Sequence, residues 1–254
     1  MKTIKMILVL FFTVATVKGF SQTSSARSAS KFSLGVLGGL NIPRLRGGNN
    51  NEMSRDFTSR AGKVFGLTAT LNLESNFALR VDVLYVGGGG KRNGIQAIDA
   101  SSFNPQAPAG TYFYASYSNE SILNYAEIPI MLKYSIPVSK SSKFYVDFGP
   151  YVGFLLNAKQ KTRGSGPIYA DRAETIPVVS TAQSFDAITS VTNDINPVNF
   201  GLTGGIGFTQ GVGFGNVFLD IHSAYGLTIV QKSTQNGKSH NGNLSVALGY
   251  SIPL

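Results

Sequence analysis

The sequence predicts an all-β fold: an eight-stranded antiparallel up-and-down transmembrane β-barrel with long outer loops and short periplasmic turns. Three observations carry that expectation. Asn124 to Asn157 reads as two long strands around a polar turn, each alternating apolar and polar residues with a period of two. The predicted connections along the chain alternate long and short, as in outer-membrane barrels. The third is an N-terminal basic and apolar segment after which no run approaches the roughly 20 apolar residues of a membrane helix. A membrane protein of this kind must then cross with strands closed on themselves.

Residues 1–21 fit a cleaved secretory signal peptide. Lys2 and Lys5 form the basic start, Ile7 to Val17 the apolar run, and Gly19 and Ser21 the small residues before the cut. Residues 22–31 are serine-rich and read as a flexible periplasmic tail, and 32–254 as the barrel. The chain of 254 residues has no cysteine, which excludes disulfides, thiolate metal sites and a thiol nucleophile. Charged residues make up 14%, and 29 glycines suit tight packing and turns. The net charge of +9 is scattered in short groups such as Lys91-Arg92 and Lys159/Lys161/Arg163. No basic-aromatic module is present, so nucleic acid is not an expected partner.

The strands follow in order. Phe32 to Asn41 sets Phe32, Leu34, Val36 and Leu40 on one face against Ser33, Gly35, Gly39 and Asn41. A polar loop, 42–60, precedes a second strand over Ala61 to Leu73. After a turn at Glu74–Asn76, Phe77 to Val86 alternates Phe77, Leu79, Val81, Val83 and Tyr85 with Arg80 and Asp82. Residues 87–120 read as a long Gly/Ser/Asn/Pro-rich loop. The central hairpin comes next, with Ile128, Ile130 and Leu132 opposite Glu127 and Lys133, then Phe144, Val146 and Phe148 opposite Tyr145 and Asp147. Residues 158–197 read as a second long loop. Strands over Val198–Thr209 and Asn216–Leu227 follow, the latter carrying Phe218, Asp220 and His222 on its polar face. The last strand alternates Leu244 to Ile252 with Ser245, Ala247, Gly249 and Ser251.

Periodicity leaves open which face points outward. The other face is small and polar but carries opposite charges, and a soluble exterior this poor in Lys and Glu is unusual. That favours lipid outside and a polar lumen. Aromatic residues also fall into two belts. Phe32, Phe77, Tyr134, Phe144, Phe208 and Tyr250 lie at the periplasmic end, and Phe65, Tyr85, Phe154, Phe200 and Tyr225 at the outer end.

The segments YAEIPIMLKY, FYVDFGPYVGFLL, FGLTGGIGF and NLSVALGYSI resemble the PorT-type outer-membrane β-barrel family, small porin-like barrel proteins of Bacteroidota. The glutamate-isoleucine-proline run followed by Gly149-Pro150-Tyr151 and Gly153 is the most specific part. The resemblance implies an eight-stranded barrel in the outer membrane of a Gram-negative bacterium and does not by itself imply an activity; one member is tied to protein secretion. Such barrels commonly end on an aromatic residue read by the barrel insertion machinery. Here the end is Tyr250-Ser251-Ile252-Pro253-Leu254, with Leu254, Ile252 and Tyr250 on the lipid face.

An eight-stranded barrel is just wide enough for side chains to fill it. Arg80, Asp82, Glu127, Lys133, Asp147, Asp220 and His222 are therefore expected to form a structural charge network that plugs the lumen, since buried charges must be paired. A proton or ion path is the sharper alternative. No catalytic set appears. His222 and Asp220 share a face, but Ser223 points the other way. Two histidines, with no His/Asp/Glu cluster at ligand spacing, give no metal site, and no cofactor is expected. Gly87–Gly90 lacks the Lys-Ser/Thr and helix of a phosphate cradle and reads as a flexible strand exit. The functional expectation is a structural or interaction component acting through its loops, in contact with outer-membrane lipids and with a protein partner at 87–120 and 158–197. The alternatives are a narrow porin-like channel for small solutes, or a part of a secretion or assembly system.

Overall fold

The alternation written along the chain closes into a ring. The computed structural model describes residues 30–74, 76–233 and 237–254, and the folded unit is Lys31–Leu254. The signal peptide and nearly all of the tail lie outside the described residues. Eight long strands form the wall: β1 (Phe32–Arg46), β2 (Gly62–Asn72), β3 (Phe77–Asp99), β4 (Tyr112–Pro137), β5 (Ser142–Arg163), β9 (Val198–Val212), β10 (Gly215–Ile229) and β11 (His240–Pro253). Three short strands, β6 (Ser165–Tyr169), β7 (Pro177–Ser184) and β8 (Ala187–Ser190), lie between β5 and β9. Every neighbouring pair is antiparallel, β11 returns to β1, and the β4–β5 pairing completes the circuit.

The register fixes the barrel's dimensions. Ladder partners run from Phe32 to Leu71, Leu79, Leu132, Phe148, Gly204, Ser223, Leu244 and back to β1 at Ile42. The circuit returns ten residues higher on the strand, a shear of ten. With eight strands about 4.8 Å apart rising about 3.3 Å per residue, that shear gives a tilt of about 41° and a backbone radius of about 8 Å. So narrow a ring leaves room for side chains and little more.

The apolar face points out. Val36, Leu40, Leu67, Val83, Leu132, Phe148 and Leu248 are exposed, while their neighbours Leu37, Asn41, Asp82, Met131, Asp147 and Ala247 are buried. A soluble barrel would show the opposite, so this arrangement needs lipid around it. Both belts form as aromatic contacts. Phe77 with Tyr134 and Phe144 with Phe208 pair at the periplasmic end, and Phe65 stacks on Tyr85 with centroids 4.8 Å apart at the outer end.

The two long loops are more ordered than the sequence suggests. β3 and β4 stay paired from Gly87↔Asn124 to Asp99↔Tyr112, so only 100–111 caps that hairpin. Gly87–Gly90 belongs to the ladder and is not a flexible exit. Residues 158–197 extend β5 to Arg163 and then build β6, β7 and β8. Composition hides these strands because their surroundings change. Outside the membrane the wall faces water, and the polarity of the two faces exchanges. On β1 the outward row passes from Leu40 and Ile42 to exposed Arg44 and Arg46, while the inward row gains buried Leu45. On β5 the outward Phe154 and Leu156 give way to Lys159 and Arg163, and Ala158 is buried inside. A register shift at Asn124/Tyr125 accompanies the change.

Candidate functional site

Two constellations fill the interior, one at membrane depth and one at the outer mouth. The first is centred on Arg80, 2% exposed on β3. Its Nε donates to Asp82 at 2.9 Å, its Nη2 to Asp220 at 2.7 Å and its Nη1 to Asp147 at 3.4 Å. One planar guanidinium thus joins carboxylates from three strands, using the fork of donors that makes Arg suited to buried ion pairs. Asp220 also accepts from the Tyr145 hydroxyl, and His222 Nε2 lies 2.7 Å from Asp147 Oδ1. Phe218 presents its ring to Arg80 at 5.7 Å, and Lys133 Nζ sits 3.5 Å from the centre of the Tyr145 ring.

Glycine on the facing strand makes this packing possible. A Cβ on Gly207 would stand 2.2 Å from Tyr145 Cζ, and one on Gly249 would stand 2.1 Å from Phe218 Cζ. The inward glycines are therefore complements to inward rings. The space left above the cluster is a cavity of ≈ 40 Å³ bounded by Arg80, Glu127, Tyr151, Thr203 and His222. At about 10–15 Å³ for each water centre, it holds a few waters and no continuous aqueous column.

Arg80, Asp82, Asp147, Asp220 and His222 meet as one hydrogen-bonded group, with Lys133 beside it. Glu127 stands apart. Its ladder partner is Leu84, four residues along β3 from Arg80, and no hydrogen bond or ion pair to it is found among the described residues. Membership of Glu127 in the expected network does not hold, because facing the same lumen does not set the same height. Tyr145, Phe218 and the glycines opposite them are the participants that residue type alone did not mark, although the period of two had already put both rings on the inner face. His222 meets Asp147 in place of its near neighbour Asp220, and Ser223 Oγ donates to the Asn243 carbonyl on the outer face. His240 opens β11 and stacks on Tyr225, with ring centroids 6.0 Å apart.

The second constellation closes the outer mouth. Leu45, Leu123, Tyr125, Ala158, Ile195 and Val230 form a buried apolar cluster, with Phe57, Leu155 and Val191 packed on it. Phe57 belongs to the segment 47–61, which bends over the opening and pairs with β3 through Thr58↔Lys91. Arg92, buried on β3, holds that segment from below. Its Nη1 donates to the Glu52 and Arg55 carbonyls, its Nε donates to Gln96, and its guanidinium lies 5.1 Å from the Phe57 ring centre. Burial lowers the Arg92 pKa from the ordinary guanidinium value, since desolvation outweighs its partners. Ion pairs of Arg60 with Glu120 at 2.8 Å and of Arg172 with Glu52 at 2.8 Å tie the same segment to β4 and to the β6–β7 turn.

A lipid-facing apolar wall around a small polar lumen agrees with what the family comparison finds. The family model described as "Outer membrane protein beta-barrel domain" matches residues 20–231. The chain belongs to that family. It is an outer-membrane barrel protein of a Gram-negative bacterium. Among solved structures, Neisserial surface protein A is 13% identical, with 90% of this chain and all (100%) of that chain covered and a TM-score of 0.42. OprG from Pseudomonas aeruginosa is 9% identical, covering 91% and 100%, with a TM-score of 0.42. Ail, the attachment invasion locus protein of Yersinia pestis, is 10% identical, covering 87% and 99%, with a TM-score of 0.37. No match is found among curated proteins.

Proposed function

We propose that this protein is a closed barrel that serves as a structural or interaction component of the outer membrane, without enzymatic activity, acting through the sheet and loops it raises outside. The observation that carries this reading is the interior filled at two heights. Arg80 and its carboxylates occupy the lumen at membrane depth, and the apolar cluster with segment 47–61 covers the mouth. The charge group then acts as a structural plug that holds three strands in register. A partner protein would meet the β3–β4 hairpin and the β6–β8 region, where Phe103, Ile176, Val178 and Ile188 are exposed.

Membership of the PorT-type barrels is part of the same reading. Its support is the YAEIPIMLKY and FYVDFGPYVGFLL segments, which form β4 and β5, the two strands whose pairing completes the ring. A role in secretion or assembly would follow from that kinship. The test is single-channel conductance of the refolded protein in a planar bilayer, with insertion verified independently. Silence is the expected result. Steady, reproducible openings would replace the closed barrel with a narrow porin-like channel.

A further inference from the structure

Between the apolar cluster and segment 47–61 the packing is incomplete. A cavity of ≈ 190 Å³ remains at the outer mouth, nearly five times the lumen cavity below it. Leu45, Phe57, Leu123, Ile195 and Val230 line it. Ser54, Ser121, Gln160, Asp194 and Gln231 supply polar walls, and so does Asn119 on β4. It is 1% exposed, and its Oδ1 has no hydrogen-bond partner. A buried amide oxygen left without a donor costs free energy that a fitting donor would recover.

The two observations are independent and point to one kind of occupant. An engineered apolar cavity of about 150 Å³ takes up benzene, so a space about a quarter larger accepts a compact molecule somewhat larger than benzene. The apolar side of the lining holds an apolar body, and the unpartnered Asn119 oxygen selects one N–H or O–H group upon it. That combination, mostly apolar with a few placed polar groups, is the usual make-up of a small-molecule site. We infer that the outer mouth is a binding site for a small, neutral, largely apolar molecule, aromatic or aliphatic, that donates one hydrogen bond to Asn119. The occupant would not pass through the barrel, because Arg80 and its partners fill the lumen beneath it. The site therefore adds a ligand to the outer surface and is separate from any protein partner at the loops.

Indole and benzofuran make a suitable pair of probes, alike in shape, with a ring N–H in one and an oxygen in the other. Binding would be followed by saturation-transfer NMR on the full barrel in lipid nanodiscs, for wild type, Asn119→Ala and Ser121→Phe. Ser121 lines the cavity, and a phenyl ring there would occupy it. The expected result is saturable binding of indole to wild type, weakened about tenfold by Asn119→Ala, the scale of one hydrogen bond. Benzofuran should bind more weakly and respond little to that change, and Ser121→Phe should abolish both. Uptake that never saturates, or that is equal in wild type and Ser121→Phe, would mean partition into lipid and would overturn the site. Equal response of both probes to Asn119→Ala would overturn the assigned donor. Folding of each variant is checked by its heat-dependent gel mobility. If Ser121→Phe does not fold, the contrast between the two probes on Asn119→Ala decides alone.

Discussion

The lumen at membrane depth and the mouth above it are filled by opposite chemistries. Around Arg80 the interior is ionic and the exterior is apolar. Around Leu123 the interior is apolar, and the exterior carries Arg44, Arg46 and Lys159. The wall is the same ladder in both places; the solvent outside it changes. Where lipid surrounds the strand, the outward row takes the apolar residues and the lumen keeps the polar ones. Where water surrounds it, the hydrophobic effect acts inward again and an ordinary core forms. The two regions should therefore fail differently when cut.

The largest effect is expected at Arg80. Arg80→Ala strips Asp82, Asp147 and Asp220 of their common partner and should cost about 3–5 kcal/mol, the scale for breaking a buried pair from one side. Urea unfolding in phospholipid vesicles measures it. Joining Arg80→Met to Asp82→Asn, Asp147→Asn and Asp220→Asn should recover most of the loss. A single variant as stable as wild type would show that the cluster holds nothing together. Next comes Leu123→Ala in the mouth, expected to cost about 2–3 kcal/mol as a cavity in an apolar cluster. Hydrogen exchange should place that loss in segment 47–61 and the upper strands, with the membrane-depth amides unaffected. Uniform loss along the whole barrel would erase the distinction between the two regions.

Arg92→Ala sits third. It removes the donors to the Glu52 and Arg55 carbonyls and should loosen segment 47–61 by about 1–2 kcal/mol. Limited proteolysis reads this as new cleavage within 47–61, while the strand core stays resistant. The smallest effect is expected at Glu127. Glu127→Gln replaces a buried carboxyl that meets no cation among the described residues, so stability should change by no more than about 1 kcal/mol, on the favourable side. A loss as large as that of Arg80→Ala would bring Glu127 back into the network.

What the residues declared in advance follows the same division. At membrane depth the period of two is uninterrupted, so each strand and the inward direction of Arg80, Asp82, Asp147, Asp220 and His222 could be read from parity. Height could not. Arg80 lies opposite Met131, and Glu127 is four residues further along β4, about 13 Å at the rise of a strand. That offset depends on the shear of the closed ring, and no single strand encodes it. Above the membrane the exchange of faces broke the pattern. Gly87–Gly90 interrupts it on β3, a register shift breaks it on β5, and both extensions therefore resembled loops. Asn119 and Arg92 were invisible for the same reason, since a polar residue in an apparent loop gives no sign that it is buried.

The paired extension of β3 and β4 also settles how far the protein projects. From Gly87 to Asp99 the ladder is continuous, and at about 3.3 Å per residue along strands tilted about 41° it stands about 30 Å higher than the point where it starts. A flexible loop of the same 34 residues, pinned at both ends, would send its midpoint out only about 16 Å on average, and would spend much of its time folded back on the lipid. The ladder is a mast, not a tether. It carries Phe103 and the hairpin tip at a constant height, clear of the layer in which the lipid headgroups lie.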